Sequence, residues 1–145
     1  MKIKLILTCT MVAILLCLFA CSSTTNEVSL EASCNDFYDR QHISKKVEVA
    51  AGNSFTVTLC SNPSTGREWE PPQISDKTIL SLTDHERVGP KTEGDRPPAP
   101  GTPGIEIWTF KALKKGETTI SMEWSQPWEG GVKAEWTLDL TVVVE

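Results

Sequence analysis

The sequence is poor in the residue types on which most enzyme chemistry depends. It contains two histidines, His42 and His85, and it has neither a Gly-x-Ser-x-Gly elbow nor paired metal-ligand spacing. Histidine is the commonest general acid or base, so two isolated copies offer little catalytic capacity. We therefore predict a non-enzymatic protein with no catalytic residues, no metal site and no cofactor. Consecutive strand residues face opposite sides, so the trio Asp84, His85 and Glu86 is interpreted as a solvated strand edge.

Positive charge is also in short supply. Fourteen Lys and Arg residues against nineteen Asp and Glu residues give the 145-residue chain a formal net charge of −5. An acidic protein repels phosphate groups at long range. We therefore predict that neither nucleic acid nor anionic lipid is its main partner.

A single long apolar run stands at the N-terminus. Lys2 and Lys4 precede apolar residues 5–20, an arrangement typical of an export signal and short for a membrane span. The run ends in Leu-Phe-Ala-Cys at Cys21, which resembles a bacterial lipobox. We predict a lipoprotein signal peptide at residues 1–20 and lipidation of Cys21. The exported chain would contact the membrane only through this anchor, on the periplasmic or cell-surface side of the envelope. An ordinary cleaved signal and an uncleaved N-terminal anchor are the alternatives.

Cysteine is sparse in the exported part of the chain. Of five cysteines, Cys9 and Cys17 lie in the predicted signal and Cys21 would carry the lipid, which leaves Cys34 and Cys60. In an oxidising compartment this pair is expected to form a disulfide, worth on the order of 3 kcal/mol in the chain-entropy model. Two free buried thiols are one alternative. A nucleophilic Cys60 is another, and it would need a histidine within hydrogen-bond reach.

Helical periodicity is missing, and a period of two takes its place. Apolar residues alternate at Val47 and Val49; Phe55, Val57 and Leu59; Leu80 and Leu82; Ile120, Met122 and Trp124; and Trp136, Leu138, Leu140, Val142 and Val144. A further strand covers residues 105–113, and its inward face is either Ile105 and Ile107 or Trp108, Phe110 and Ala112. These strands, separated by Gly, Pro and Asn turns, predict an all-β fold, an immunoglobulin-like antiparallel β-sandwich of six to eight strands. We place a tether and lead-in segment at residues 21–41 and the domain at residues 42–145.

Three turn-rich segments connect these strands. The first is Asn-Pro-Ser-Thr-Gly at residues 62–66, the second carries five prolines and four glycines at 88–104, and the third begins with Gln-Pro-Trp at 126–128. Proline fixes φ and glycine accepts positive φ, so the first loop should be stiff before a partner arrives. Connections in a sandwich alternate between its two ends. The three loops are therefore expected to crowd one end of the domain.

Trp128 is expected to be the exposed aromatic residue at this end. Aromatic side chains bury large areas with few torsions to freeze, which predicts a binding hot spot. A core position turned inward is the alternative. The other tryptophans fall within strand patterns and are expected in the core or on sheet faces: Trp69, Trp108, Trp124 and Trp136.

The three loops resemble those of the chagasin family of cysteine-protease inhibitors, and the similarity spans residues 47–144. Asn62, Pro63, Ser64, Thr65 and Gly66, followed by Trp69, are similar to the family's Asn-Pro-Thr-Thr-Gly loop and downstream tryptophan. Gly101, Thr102, Pro103 and Gly104 match its Gly-x-Gly-Gly signature in part, with proline in place of one glycine. Gln126, Pro127 and Trp128 match its Arg-Pro-Trp signature, with glutamine in place of arginine.

This resemblance implies a reversible inhibitor of papain-family cysteine proteases that lays three loops across the active-site cleft. A tight turn fills the place of an extended substrate without offering a scissile bond. By analogy, Ser64 and Thr65 approach the catalytic Cys–His pair, Trp128 packs on one flank and residues 101–104 lie along the other. The partner is then a papain-like protease and the inhibitor a monomer. Pro103 and Gln126 depart from the family pattern and bear on affinity or target choice.

An alternative function is a lipid-anchored adhesion or carbohydrate-binding module of the same fold. Such a module would also present an aromatic residue at a loop tip. It would not require the particular turn at residues 62–66.

Overall fold

A computed structural model describes residues 28–92 and 94–145 of the chain. The predicted signal peptide, Cys21 and the tether as far as residue 27 lie outside these residues. The elements follow in the order β1 (Val28–Ala32), α1 (Cys34–Arg40), β2 (His42–Val49), β3 (Ser54–Ser61), a 3-10 turn (Pro63–Thr65), β4 (Glu68–Trp69), β5 (Gln73–Ile74), β6 (Leu80–Val88), β7 (Gly104–Ala112), β8 (Gly116–Ser125) and β9 (Trp136–Val144). No helix in the described ranges is long and apolar enough to cross a membrane.

The strands form two sheets. One has the order β1-β3-β7-β6, and the other has the order β2-β9-β8-β4 with β5 also paired to β8. The predicted all-β, immunoglobulin-like fold class is confirmed. The described residues hold nine strands rather than six to eight. The two-residue strands β4 and β5 are too short to show alternation, and β1, which does alternate, lies in the predicted lead-in segment. Two of the pairings, β1 with β3 and β2 with β9, are parallel.

The core lies between the two sheets and follows the period-two pattern. In β9, every second residue from Trp136 to Val144 is buried. In β7, the buried set is Glu106, Trp108, Phe110 and Ala112, which decides between the two inward faces left open by the sequence. Full burial of one large apolar side chain contributes about 1.5–3 kcal/mol. These alternating rows therefore fix the register of the sheets.

The predicted lead-in at residues 21–41 contains β1 and α1. The helix begins with a capping box at Ser33, whose hydroxyl accepts a hydrogen bond from the Asp36 amide while the Asp36 carboxylate accepts one from the Ser33 amide. Cys34 at the start of the helix forms the predicted disulfide with Cys60 at the end of β3, with a Cα–Cα distance of 5.1 Å. The disulfide excludes a free nucleophilic thiol at Cys60.

An aromatic cluster anchors the helix to the second sheet. Phe37 is fully buried, and its ring centroid lies 5.2 Å from those of both Trp69 and Trp136. Trp124 stacks on Trp136 with 5.7 Å between the centroids. The four tryptophans predicted in the core or on sheet faces are all buried: Trp69, Trp108, Trp124 and Trp136. The helix thus completes the core at the side of the sandwich where β2 begins.

The capping box predicts a pH dependence of the N-terminal helix. Hydrogen bonds from the hydroxyl and the amide of Ser33 lower the pKa of Asp36 from 3.8. A carboxyl group whose pKa is lower in the folded state than in the unfolded state stabilises the fold at any pH above its unfolded pKa. This stabilisation is lost as the pH falls through the pKa of the folded state. We expect Asp36→Asn to lower the thermal unfolding midpoint at about pH 7 and to have little effect near pH 2. Asp39→Asn is the control, since it removes a carboxylate from the last turn, where the helix dipole disfavours one.

Candidate functional site

The first loop, residues 62–66, is a hydrogen-bonded 3-10 turn. The Thr65 amide donates to the Asn62 carbonyl at 3.1 Å, and the Gly66 amide donates to the Pro63 carbonyl at 3.0 Å. Two hydroxyls reinforce the turn: Ser64 Oγ donates to Asn62 Oδ1 at 2.6 Å, and Thr65 Oγ1 donates to the Asn62 carbonyl at 2.8 Å. Gly66 closes the turn with a φ of +74°, in the left-handed region that favours glycine. Pro63, Ser64 and Thr65 remain exposed at its tip.

The second loop, residues 89–103, is tied to the first. Asn62 Nδ2 donates to the Gly101 carbonyl at 2.9 Å, so the Asn62 side chain connects the first loop to the second. The amide and the hydroxyl of Thr102 both donate to the Ala99 carbonyl, at 3.1 and 2.7 Å, which closes a turn just before Pro103. Gly104 follows with its Cα against the Val88 carbonyl, where a side chain would not fit. Gly104 therefore serves close backbone packing, whereas Gly101 takes a φ of +84°, in the left-handed region that favours glycine.

The third loop, residues 126–135, is closed by Gln126. The Gln126 amide donates to the Val132 carbonyl, and Gln126 Oε1 accepts from the Val132 amide, each at 2.8 Å. Lys133 Nζ donates to the Gln126 carbonyl at 2.7 Å. Gly131 leaves no room for a side chain, because an added Cβ would lie 2.7 Å from Gln126 Cβ. Gln126 thus binds its own loop rather than extending outward.

Trp128 connects the third loop to the first. Its side chain is half-exposed, which confirms the predicted exposure and excludes a core position. A Cβ added at Gly66 would lie only 3.1 Å from Trp128 Cη2, so the indole leans over the glycine that ends the first loop. Arg67, just after that glycine, also forms an ion pair with Glu135 at the end of the third loop.

These contacts confirm that the three loops gather at one end of the sandwich. We call this end, residues 62–66, 89–103 and 126–135, the rim. A cavity of about 210 Å³ lies within it, lined by Pro63, Gly66, Arg67, Glu68, Arg87, Glu106, Pro127 and Trp128. No group of His, Cys, Asp and Glu residues in the described ranges could hold a metal ion. Exposed turn residues and an exposed indole make the rim a surface suited to binding another protein.

Glu106 of β7 lines the rim cavity and is a residue that the sequence did not single out. It is 1% exposed, although it is ionisable, and its carboxylate accepts a hydrogen bond from Ser61 Oγ at 2.7 Å. His85 Nε2 lies 2.7 Å from the other carboxylate oxygen. One feature of the sequence could have indicated its burial. Glu106 lies two residues before Trp108 and therefore on the buried face of β7.

The trio at residues 84–86 is only in part the predicted solvated edge. Asp84 and Glu86 are exposed, the His85 side chain is 28% exposed, and β6 is indeed an edge strand. The imidazole of His85, however, stacks on Trp108 with 3.4 Å between the ring centroids and an interplanar angle of 9°. Asp84 and Glu86 do not share this face, because neighbouring strand residues alternate.

Comparison with known proteins gives the chain a family. The model of the chagasin family peptidase inhibitor I42 matches residues 48–142. Amoebiasin-2 of Entamoeba histolytica is 31% identical over 117 residues, which cover 77% of this chain and 91% of that protein. The crystal structure of the cysteine protease inhibitor EhICP2 from Entamoeba histolytica aligns with a TM-score of 0.63 and 22% identity, over 83% of this chain and 98% of that one.

The family match covers all three loops of the rim and agrees with the resemblance drawn from their sequences. The structural alignment supports the same sandwich fold. The family is one of inhibitors rather than enzymes, in line with the prediction from the scarcity of catalytic residue types. This chain belongs to the chagasin family of peptidase inhibitors.

Proposed function

We propose that this protein reversibly inhibits papain-family cysteine proteases by placing the three loops of the rim across the active-site cleft. The observation that carries the proposal is the first loop, whose turn is held by four internal hydrogen bonds while its tip stays exposed. EhICP2, which shares the fold, is a cysteine protease inhibitor. We extend this target class to the present chain through its family membership.

The mechanism follows from the shape of the first loop. A substrate must enter the cleft as an extended strand so that its carbonyl meets the nucleophilic thiolate. Residues 63–65 form a 3-10 turn instead, and their peptide bonds are directed differently from those of a strand. Ser64 and Thr65 would occupy the space next to the catalytic Cys–His pair without presenting a bond in position for attack. The loop therefore blocks the site and is not cut.

The second and third loops would contact the two sides of the active-site cleft. Trp128 would pack on one side, where burial of its exposed half removes apolar surface from water. Residues 101–104 would lie along the other side, held in place by the hydrogen bond from Asn62 to the Gly101 carbonyl. Because the first loop contacts both of the other loops before binding, little conformational entropy is lost on association.

The two departures from the family signature affect this surface in different ways. Gln126 uses its side-chain oxygen within its own loop and offers no charge to the protease. Pro103 has no amide hydrogen to donate. We infer that the protein depends more on the first loop and on Trp128 than on polar contacts from these two positions.

We further propose that the protein is exported, lipidated at Cys21 and anchored in the cell envelope as a monomer. The charged and apolar pattern of residues 1–20 and the Leu-Phe-Ala-Cys sequence support export and lipidation. The Cys34–Cys60 disulfide supports an oxidising compartment. Metabolic labelling with a fatty acid, lost in Cys21→Ser, would test the anchor.

The inhibitor hypothesis is tested by titrating papain and a cathepsin L-type protease with a soluble form that begins at Ser22. Residual activity is followed on a small fluorogenic substrate, with trypsin as the control. We expect competitive loss of the cysteine-protease activity alone. A folded protein that inhibits neither enzyme would contradict the proposal, and the adhesion or carbohydrate-binding function would then be examined on a glycan array.

Trp128→Ala should weaken inhibition of papain about 30-fold, or about 2 kcal/mol, as expected for an aromatic hot spot. The reason is the loss of the apolar contact made by the exposed half of the indole. The inhibition constant is measured from the same titration. Leu113→Ala is the matched control, because Leu113 is similarly exposed but lies in the hairpin turn at the opposite end of the sandwich.

A further inference from the structure

The strands that carry the first and second loops meet at a single buried carboxylate. Ser61, the last residue of β3, donates its hydroxyl to Glu106 Oε1 at 2.7 Å. Arg87, next to the last residue of β6, places its Nε 3.4 Å from Glu106 Oε2. The first loop starts directly after Ser61, and the second starts two residues after Arg87. Glu106 therefore connects the starting points of both loops.

A β-bulge in β6 makes this connection possible. Leu82 pairs with Phe110, but the register then slips so that Asp84 pairs with Thr109, and Thr83 is the extra residue. Without this register shift, the even-numbered residues of β6 after Leu82 would continue to face the inside of the sandwich. With it, His85 and Arg87 turn to that face, opposite Trp108 and Glu106 respectively.

The third loop meets the same group through the rim cavity. Glu106 lines this cavity together with Pro63 and Gly66 of the first loop and Pro127 and Trp128 of the third. A buried carboxylate is costly unless it is paired and hydrogen-bonded. Here the hydroxyl of Ser61, the imidazole of His85 and the guanidinium of Arg87 surround it. Such an arrangement has one well-satisfied geometry, and a shift of either strand end would break it.

The geometry points to Glu106 as the positioning residue of the rim, a group that touches no protease but fixes the separation of the first and second loops and the floor beneath Trp128. This role rests on the proposed function for its effect on inhibition. The carboxylate acts through Ser61 on the first loop and through Arg87 on the second. Loss of this carboxylate should raise the dissociation rate of the complex more than it lowers the association rate, because the exposed contact residues stay the same.

The test compares Glu106→Gln, Arg87→Gln and the double variant, with Glu86→Gln as the control. Glutamine keeps an oxygen that can accept from Ser61 but turns an NH₂ group toward Arg87. Glu86→Gln removes the same charge from an exposed neighbour on β6. Association and dissociation rates with papain come from progress curves, and ¹H–¹⁵N spectra of the free protein record the amides of Thr65, Gly101 and Ile120.

We expect Glu106→Gln and Arg87→Gln each to raise the dissociation rate about tenfold, with association within about twofold. The double variant should dissociate no faster than either single one, because the ion pair between Glu106 and Arg87 is lost in all three. Arg87 also pairs with Glu68 at 3.6 Å, but both of those side chains are exposed, so that pair should add little. The Thr65 and Gly101 amide signals should shift in Glu106→Gln, while the Ile120 signal in the core of β8 should not. Glu86→Gln should match the wild type in every measurement.

Three results would overturn this role. Glu106→Gln could dissociate at the wild-type rate with unshifted amide signals in the rim, or its signal shifts could be spread evenly through both sheets. In the third, the effects of the two substitutions on the dissociation rate would add in the double variant. If Glu106→Gln does not fold, Arg87→Gln alone decides by the same rate and shift criteria. If the wild-type protein inhibits no cysteine protease, the proposed function fails, and the amide shifts still decide whether Glu106 positions the rim.

Discussion

Thr65→Asp should abolish most of the inhibition of papain, with a loss of about 2–5 kcal/mol of binding free energy, the cost of burying an unpaired charge in an interface. Thr65 is exposed at the tip of the first loop and would be desolvated against the catalytic Cys–His pair in the proposed complex. A carboxylate there would lose its water, and the nearby Arg67, which donates to the Thr65 carbonyl, is already paired with Glu135. The inhibition constant on a fluorogenic substrate measures the effect.

Two controls separate this effect from changes in folding or net charge. Thr65→Ser keeps the hydroxyl that donates to the Asn62 carbonyl and should inhibit within about threefold of the wild type. Thr119→Asp adds the same charge at an exposed position near the start of β8, far from the rim. If Thr65→Asp inhibited as well as Thr119→Asp, the first loop would not enter the cleft.

Phe37→Ala should lower the free energy of unfolding by about 3–5 kcal/mol, the usual cost of deleting a buried phenylalanine. The ring is fully buried between Trp69 and Trp136, and the short helix that carries it has no other buried residue. Chemical denaturation with the disulfide intact gives the value directly. The change in fluorescence of the surrounding tryptophans reports on the same site.

The neighbouring Tyr38 provides the control. It is 64% exposed and touches Trp136 only edge-on, so Tyr38→Ala should cost less than about 1 kcal/mol. An equal effect of the two substitutions would mean that α1 is not anchored through Phe37. It would also remove the reason for including residues 28–41 in the folded unit.

The sequence was informative where alternation and turn chemistry agree. Burial of every second residue in β9 follows from its apolar pattern, and the turn at residues 62–66 follows from proline, asparagine and glycine at fixed positions. Chain order then placed the three loops at one end. The hydrogen bond from Asn62 to the Gly101 carbonyl joins the first two loops, and Trp128 packs over Gly66 to join the third to the first. Local rules sufficed for the first two features because each depends on residues close together in the chain, whereas the position of the loops followed from the order of the strands.

Other features depend on contacts that are distant in sequence. The seven-residue helix α1 is too short for a helical period to be visible, and only the Ser33–Asp36 capping box marked its start. Burial of Glu106 depends on Ser61 and on a bulge in another strand, neither of which can be read from the pattern of β7. The same holds for Gln126, whose inward turn depends on Val132.

The parallel pairing of β1 with β3 determines which way the inhibitor points. Val28 lies beside Phe55, near the start of β3, whereas the rim begins where β3 ends. The N-terminus of β1 is therefore about 20 Å from the rim, the length of the six residue steps from Phe55 to Ser61. If Cys21 carries a lipid, the chain enters the domain at the end next to the bilayer, and the rim faces outward. A soluble protease could then be captured without approaching the membrane surface.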